Sequence, residues 1–246
     1  MSAGPGVPVF MYHWVHDDLG EALRVYGVTP SAFRSQIGWL RRLGRRTLGL
    51  GELLDHMRGG RPAPRGSIVL TFDDGYVDNA ENALPVLADA GMTATVFVVT
   101  DHAGGVNAWD ASHGDAPRPL LTWDRMRALD GETLRFEPHS RTHPQLPAVA
   151  PERAREEIAG AKKRLEDELG RASLAFAYPH GAYDDRVEGM VRDAGFQMAL
   201  TVRQGLNRPG DDPLRVRRTM VTSRDVAPTF LFKASTGYGA LGLFTS

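Results

Sequence analysis

Apolar and polar positions along this chain follow two alternating patterns. Short, nearly unbroken apolar runs recur at Val7–Tyr12, Ser67–Phe72, Thr93–Val99, Leu134–Glu137, Leu174–Tyr178, Gln197–Val202 and Leu214–Val216. Their length and their β-branched and aromatic content predict strands, several of them buried. Between these runs the apolar period changes. After Thr29-Pro30, residues Phe33, Ile37, Leu40 and Leu43 recur at helical spacing, and Gly44 supplies a stop. A second helix is predicted from about Val77 to Ala90, before Gly91. Pro151 opens a long amphipathic helix with Ala154, Ile158, Ala161, Leu165 and Leu169 on one face, ended by Gly170. A further helix is expected near Asp185–Ala194. Asp101–Pro119 follows neither period, and loops of that length are uncommon unless they serve a site.

Strand–helix alternation implies a parallel sheet covered by helices. Seven or eight such units predict an α/β barrel with its chemistry at the C-terminal ends of the strands. Residues 1–246 are expected to form a single domain. Lysine plus arginine (29) nearly equals aspartate plus glutamate (30), so the basic excess that nucleic-acid binding calls for is missing. Cysteine is absent, which excludes disulfides, thiolate metal sites and cysteine nucleophiles. Any metal must be held by histidine and carboxylate. The opening Met1–Gly6 shows no signal-peptide pattern and no apolar run is long enough to span a bilayer, so the chain as given is expected in the cytoplasm.

Four segments at predicted strand ends concentrate chemistry. Thr71-Phe72-Asp73-Asp74-Gly75 places two adjacent carboxylates after an apolar strand, where repulsion and desolvation count against a purely structural role. A turn with a helix N-cap accounts for the pair equally well. His139-Ser140-Arg141-Thr142-His143 has the i, i+4 spacing that brings two imidazoles to one face of a helical turn. With Asp74 it makes a two-histidine, one-carboxylate metal site with open positions for an activated water. Non-haem iron oxygenases use the same donor set, although the α/β pattern and the second aspartate argue against one. Tyr178-Pro179-His180-Gly181 offers a turn whose backbone N–H groups suit developing negative charge, or simply ends a strand. Tyr12-His13-Trp14 places a histidine at the catalytic face, where it is either a proton donor or a satisfied core residue.

Together these segments resemble the polysaccharide deacetylases, family 4 carbohydrate esterases with the NodB-homology domain, over Val7–Arg218. The early position of Tyr12-His13 looks like the circularly permuted branch that includes poly-N-acetylglucosamine deacetylases. The resemblance implies a distorted (β/α)₇-type barrel and a metal-dependent hydrolase that removes an N-acetyl group from an amino-sugar-containing substrate. It implies Asp73 as general base, Asp74, His139 and His143 as metal ligands, His13 as acid, and the His180 N–H as an oxyanion donor. The divalent ion is expected to be Zn²⁺, with Co²⁺, Ni²⁺, Fe²⁺ or Mn²⁺ as alternatives. Tyr12, Trp14, Asn107, Trp109, Tyr178 and Pro179 are the expected substrate contacts, and an N-acetylated sugar, glycan or acylated small molecule is the expected partner. This chain departs from the family at Ala177, where most members place an arginine that orients the base, and at His180, where they place an aromatic. Arg215, Arg217 and Arg218 are the candidates to replace that arginine. A glycan-binding homologue without catalysis, or an esterase or deacylase acting on a small metabolite, is the alternative.

Overall fold

The computed structural model describes residues 6–239, so the N-terminal reading of Met1–Pro5 lies outside them. Seven short parallel strands organise the chain: β1 (Val7–Tyr12), β2 (Ser67–Phe72), β3 (Ala94–Val98), β4 (Leu134–Pro138), β5 (Ala175–Ala177), β6 (Met198–Leu200) and β7 (Thr219–Met220). β1 pairs with β2 and β7, β2 with β3, β3 with β4, and β5 with β6, all parallel. Among the described residues no backbone ladder joins β4 to β5. Side chains bridge that seam instead. The Glu137 carboxylate accepts the N–H groups of Leu174 (3.0 Å) and Ala175 (3.2 Å). Beyond β6 the link is an isolated parallel bridge from Leu200 to Val216, which precedes β7 in the chain. The result is an α/β barrel that is distorted at two seams.

Seven helices accompany the strands: α1 (Pro30–Arg42), α2 (Leu50–Met57), α3 (Leu84–Ala90), α4 (Trp123–Leu129), α5 (Pro151–Leu169), α6 (Asp185–Asp193) and α7 (Ala227–Thr236). Alternation along each strand separates two cores. Val7, Val9, Val69, Phe97, Ala175, Ala177, Met198 and Leu200 point into the barrel, where Leu50, Leu53, Leu54 and Met57 of α2 join them. Phe10, Tyr12, Leu70 and Phe72 point outward against Phe33, Ile37 and Leu40 of α1 and Phe230 of α7. Each fully buried Phe in these layers contributes about 1.5–3 kcal/mol of transfer free energy.

Two sequence expectations change here. The strand expected at Leu214–Val216 is a 3₁₀ turn over Pro213–Arg215, and the seventh strand lies later, at Thr219–Met220. Pro213 has no N–H to give a ladder, which favours the turn. The helix expected from Val77 forms, but Asn79–Ala83 is π-helical. Pro85 offers no N–H for a regular α-helical bond, and the Leu84 N–H reaches back to the Asn79 carbonyl. α2, α4 and α7 are short elements that the periodicity did not mark. Among the described residues no helix is long and apolar enough to cross a membrane.

Candidate active site

Strand parity delivers the site. On β1 the inward series Val7, Val9, Met11 continues to His13, which lines a cavity of about 370 Å³ at the barrel mouth. On β2 the inward series Val69, Thr71 continues to Asp73. Asp74 would then face away. Instead it adopts a left-handed conformation (φ 75°), followed by Gly75 at φ 81°, and also lines the cavity. A Cβ at Gly75 would lie 2.9 Å from Val98 Cγ1, so the turn leaves no room for a side chain.

His139 and His143 reach the same cavity by a different route from the helical turn expected. No helix spans them. Ser140 (φ 64°) and His143 (φ 63°) are both left-handed, and the loop folds the two rings together with Nε2 atoms 3.2 Å apart. Two contacts support this strained loop. The Ser140 hydroxyl accepts the His143 N–H (2.9 Å), and the buried Glu157 carboxylate of α5 accepts the N–H groups of Arg141 and Thr142 (both 2.8 Å). His139 Nδ1 lies 2.8 Å from the Ala177 carbonyl, a contact that makes Nδ1 the protonated nitrogen and leaves Nε2 as a lone-pair donor.

Ligand atoms of Asp74, His139 and His143 all lie within 4.8 Å of one another. Asp74 Oδ1 is 3.7 Å from His139 Nε2 and 3.5 Å from His143 Nε2. This oxygen is buried and has no hydrogen-bond partner. Burial, then the charges of Asp73 and Asp110, push the Asp74 carboxyl well above its ordinary pKa. Burial pushes His139 down to about 4 and His143 well below its usual value, so both rings are neutral at pH 7. A buried carboxylate without a counter-charge, beside two neutral imidazole lone pairs, is a donor set that fits a divalent cation.

Asp73 stands in the opposite condition. Arg218, itself fully buried, grips it in a two-pronged pair: Nη1 to Oδ1 at 2.6 Å and Nη2 to Oδ2 at 2.8 Å. Arg218 Nε donates to the Thr201 carbonyl (2.9 Å), which fixes the guanidinium plane. Burial works to raise the Asp73 pKa, but Arg218, with His139, outweighs it and holds the carboxyl below its ordinary value. Of the three candidate arginines, Arg218 is the one that holds Asp73. The other two candidates are engaged elsewhere, Arg215 with Glu188 and Arg217 with Asp211.

His13 sits beside Tyr26, with ring centroids 5.0 Å apart, and its Nδ1 has no partner. Burial pushes it down to about 4, against the opposing pull of Asp73. The helix after the aspartate pair holds this segment in place. Asn79 Nδ2 donates to the His13 carbonyl (2.8 Å), Asn82 Nδ2 donates to the Val15 carbonyl (2.7 Å), and Asp78 accepts the Val15 N–H (3.0 Å). Sequence reasoning missed these three side chains, although their cluster of polar residues at the start of a helix is visible in the chain. His180 is left-handed (φ 57°), lines the cavity and stacks edge-on against His143 at 4.4 Å.

Of the six expected substrate contacts, Trp14 and Trp109 line the cavity. The other four do not. Tyr12 has the opposite strand parity to His13, so it stacks on Phe72 in the outer core and donates to Gln36. Tyr178 likewise follows Ala177 outward, is fully buried and donates to the Leu214 carbonyl (3.2 Å). Pro179 is buried behind His180. Asn107 braces its own loop, donating to Asp110 (2.9 Å) and accepting the Arg118 N–H (2.6 Å). Asp110, at the end of the Gly105–Asp110 loop, also lines the cavity, and so do Tyr26 and Leu23, which the sequence did not mark.

Comparison with known proteins adds independent support. A family model described as polysaccharide deacetylase matches residues 60–199. The protein YxkH of Bacillus subtilis (strain 168) is 28% identical over 199 residues, which are 81% of this chain and 65% of that protein. A poly-beta-1,6-N-acetyl-D-glucosamine N-deacetylase of Staphylococcus epidermidis is 27% identical over 208 residues, covering 82% of this chain and 70% of that one. The chain thus spans about two thirds of the length of these relatives. In fold, it superposes on the Streptococcus pyogenes deacetylase PplD, solved with acetate, with a TM-score of 0.80 at 22% identity over 94% of this chain and 99% of that one.

Proposed function

This chain belongs to the polysaccharide deacetylase family, and from that premise we propose that it hydrolyses the N-acetyl amide of an amino-sugar-containing substrate. The observation that carries the proposal is the division of labour between two adjacent carboxylates. Asp74 converges with His139 and His143 with its Oδ1 unbonded, while Asp73 is held outside that set by Arg218.

Asp74, His139 and His143 would hold the divalent ion, and Zn²⁺ is the ion we assign, with Co²⁺, Ni²⁺, Fe²⁺ and Mn²⁺ served by the same donors. When bound, such an ion supplies Lewis acidity toward a water and an acyl carbonyl. The remaining chemistry belongs to the chain. Asp73, kept ionised by Arg218, accepts a proton from the water as its oxygen bonds to the carbonyl carbon. The His180 backbone N–H is the donor assigned to the oxyanion, in a turn fixed by its left-handed conformation. As the carbon–nitrogen bond breaks, His13 delivers a proton to the departing amine. Burial keeps His13 neutral in the free protein, so it must take up that proton during turnover. His13 takes that proton from solvent and Asp73 returns the water's proton to solvent, so one proton in and one out close the hydrolysis.

Arg218 also weighs against a non-catalytic glycan-binding role. That role is favoured by the departures at Ala177 and His180, and Arg218 holds the base despite the first. The test is acetate release from a panel of N-acetylated sugars by metal-reconstituted protein, with Asp74→Ala as control. Release by the wild type alone supports the proposal. Equal release by both proteins, or tight sugar binding with none, contradicts it.

A further inference from the structure

Asp110 enters the catalytic cavity on a turn that also touches a metal-binding residue. The 3₁₀ turn Ala108–His113 carries Trp109 and Asp110 side by side, and both line the cavity with Asp73, Asp74 and His143. The Trp109 and His143 ring centroids are 4.8 Å apart. Asn107, itself buried, holds Asp110 twice: its carbonyl accepts the Asp110 N–H (3.1 Å), and its Nδ2 donates to Asp110 Oδ2 (2.9 Å). The Arg118 N–H in turn fixes Asn107 Oδ1 (2.6 Å). Farther along the same segment, the Asp115 carboxylate accepts the N–H groups of Glu21 (2.9 Å), Ala22 (3.2 Å) and Leu23 (2.8 Å). The fold thus places the Asp110 carboxylate instead of leaving it on a free loop.

Three carboxylates share this cavity, and its lining holds no lysine or arginine. Each is answered differently. Arg218 neutralises Asp73 from outside the lining, and Asp74 belongs to the cation set. Asp110 is half-buried and forms no ion pair among the described residues, and the neutral Asn107 amide leaves its Oδ1 open. Its charge is felt at Asp74, after burial and the Asp73 charge. An asparagine at 110 would accept the same Asn107 N–H without adding repulsion, so the charge has a use beyond the turn. Counting fixed charges supplies that use. A divalent ion on Asp74 and the neutral His139 and His143 leaves one positive charge, and the Asp73–Arg218 pair adds none. Asp110 brings the loaded cavity to neutrality. The cavity holds about 370 Å³. A sphere of that volume is about 9 Å across, close to the screening length of about 8 Å at physiological salt. Any ionised group on a bound sugar therefore lies within reach of this balance. At that distance, with an effective dielectric between those of a protein surface and water, one unit charge changes an equilibrium constant by about tenfold.

We propose that Asp110 is a specificity-determining residue: it cancels the net positive charge of the metal-loaded cavity, so that the enzyme takes neutral amino sugars and gains no affinity for anionic ones, its own acetate product included. The inference rests on the deacetylase reading above and narrows its substrate class.

The test compares Zn²⁺-loaded wild type with Zn²⁺-loaded Asp110→Asn, both as full chains at about pH 8, above the ordinary imidazole pKa of about 6.5. Acetate binding is measured by calorimetry. The variant is expected to bind acetate about tenfold more tightly, with a gain that shrinks as salt is added. A gain of less than about threefold, or weaker binding, overturns the proposal. Turnover then compares 2-acetamido-2-deoxyglucuronic acid with its carboxamide, two substrates of nearly equal bulk that differ by one charge. The ratio of kcat/KM for acid over carboxamide should rise about tenfold in the variant. A rise of less than about threefold overturns the selectivity role. Each protein is its own reference, so a general loss of activity cancels from the ratio. A residue that merely braced its loop would lower both substrates alike and would not tighten acetate. Zn²⁺ affinity gives a further readout: it should weaken severalfold in Asp110→Asn, because a nearby negative charge is lost, and unchanged or tighter binding contradicts the charge count. If wild type releases acetate from no N-acetylated sugar, the deacetylase reading itself fails, while acetate and Zn²⁺ affinities still decide the role of Asp110.

Discussion

The two halves of this active site are built from neighbouring carboxylates and end in opposite electrostatic states. Asp73 meets a fully buried guanidinium that satisfies both of its oxygens. Asp74, one residue on, is equally buried, yet its Oδ1 faces two neutral imidazoles and meets no donor. A protein that invests a buried arginine in one carboxylate and leaves its neighbour bare has two different uses for them. The Asp73 half is complete with protein groups alone, whereas the Asp74 half becomes complete only with a cation. The difference teaches that partnering, more than residue type, assigns the roles of base and ligand.

Substitutions can break that contrast one side at a time. The largest effect is expected from Asp74→Ala, with acetate release lost below detection together with bound metal, checked by assay and metal analysis of the same sample. His13→Ala comes next. It should lower kcat by roughly 10²–10⁴-fold, the usual range for losing a general acid, with metal content unchanged. Arg218→Met should follow on the Asp73 side, costing roughly 3–5 kcal/mol in denaturant unfolding because it leaves a buried charge unpaired. It also moves a pH limb. With Arg218 gone, burial is left to raise the Asp73 pKa, so the base is protonated at higher pH and the acidic limb of kcat/KM shifts upward. A limb that stays in place or moves down would show that Asp73 is not the titrating base. The smallest effect is expected from Asn79→Ala, which frees the His13 carbonyl and should cost about 1 kcal/mol in stability, with a modest loss in kcat.

A separate outcome sharpens the comparison in the metal-free protein. Asp74→Asn replaces a buried carboxyl whose Oδ1 lacks a partner, so unfolding of the apo protein should be unchanged or stabilised by about 1–3 kcal/mol. Asp73→Asn should be destabilising, since it strands Arg218. Equal effects at the two positions would erase the distinction.

Much of this was legible in the chain because strand parity and apolar runs are local properties. β1 and β2 match their predicted spans, and the inward series through Val9 and Val69 leads to His13 and Asp73. The same parity shows that Tyr12 and Tyr178 turn away from the cavity, since each neighbours an inward residue. The histidine pair was found through a spacing rule whose geometry does not apply, because left-handed backbone at Ser140 and His143 brings the rings together instead of a helical turn. Arg218 was one of three candidates in the sequence, and the choice among them was not legible there for a different reason. Three arginines crowd Arg215–Arg218, and only packing across 145 residues decides which one reaches Asp73. The tie from the N–H groups of Glu21, Ala22 and Leu23 to the Asp115 carboxylate is equally non-local, spanning more than ninety residues.

The central claim is most directly tested by counting bound Zn²⁺ per chain in wild type, Asp73→Asn and Asp74→Asn after reconstitution and removal of free metal. The account predicts one ion in the wild type, one in Asp73→Asn despite its loss of turnover, and none in Asp74→Asn. Metal lost from Asp73→Asn, or kept in full by Asp74→Asn, would contradict it.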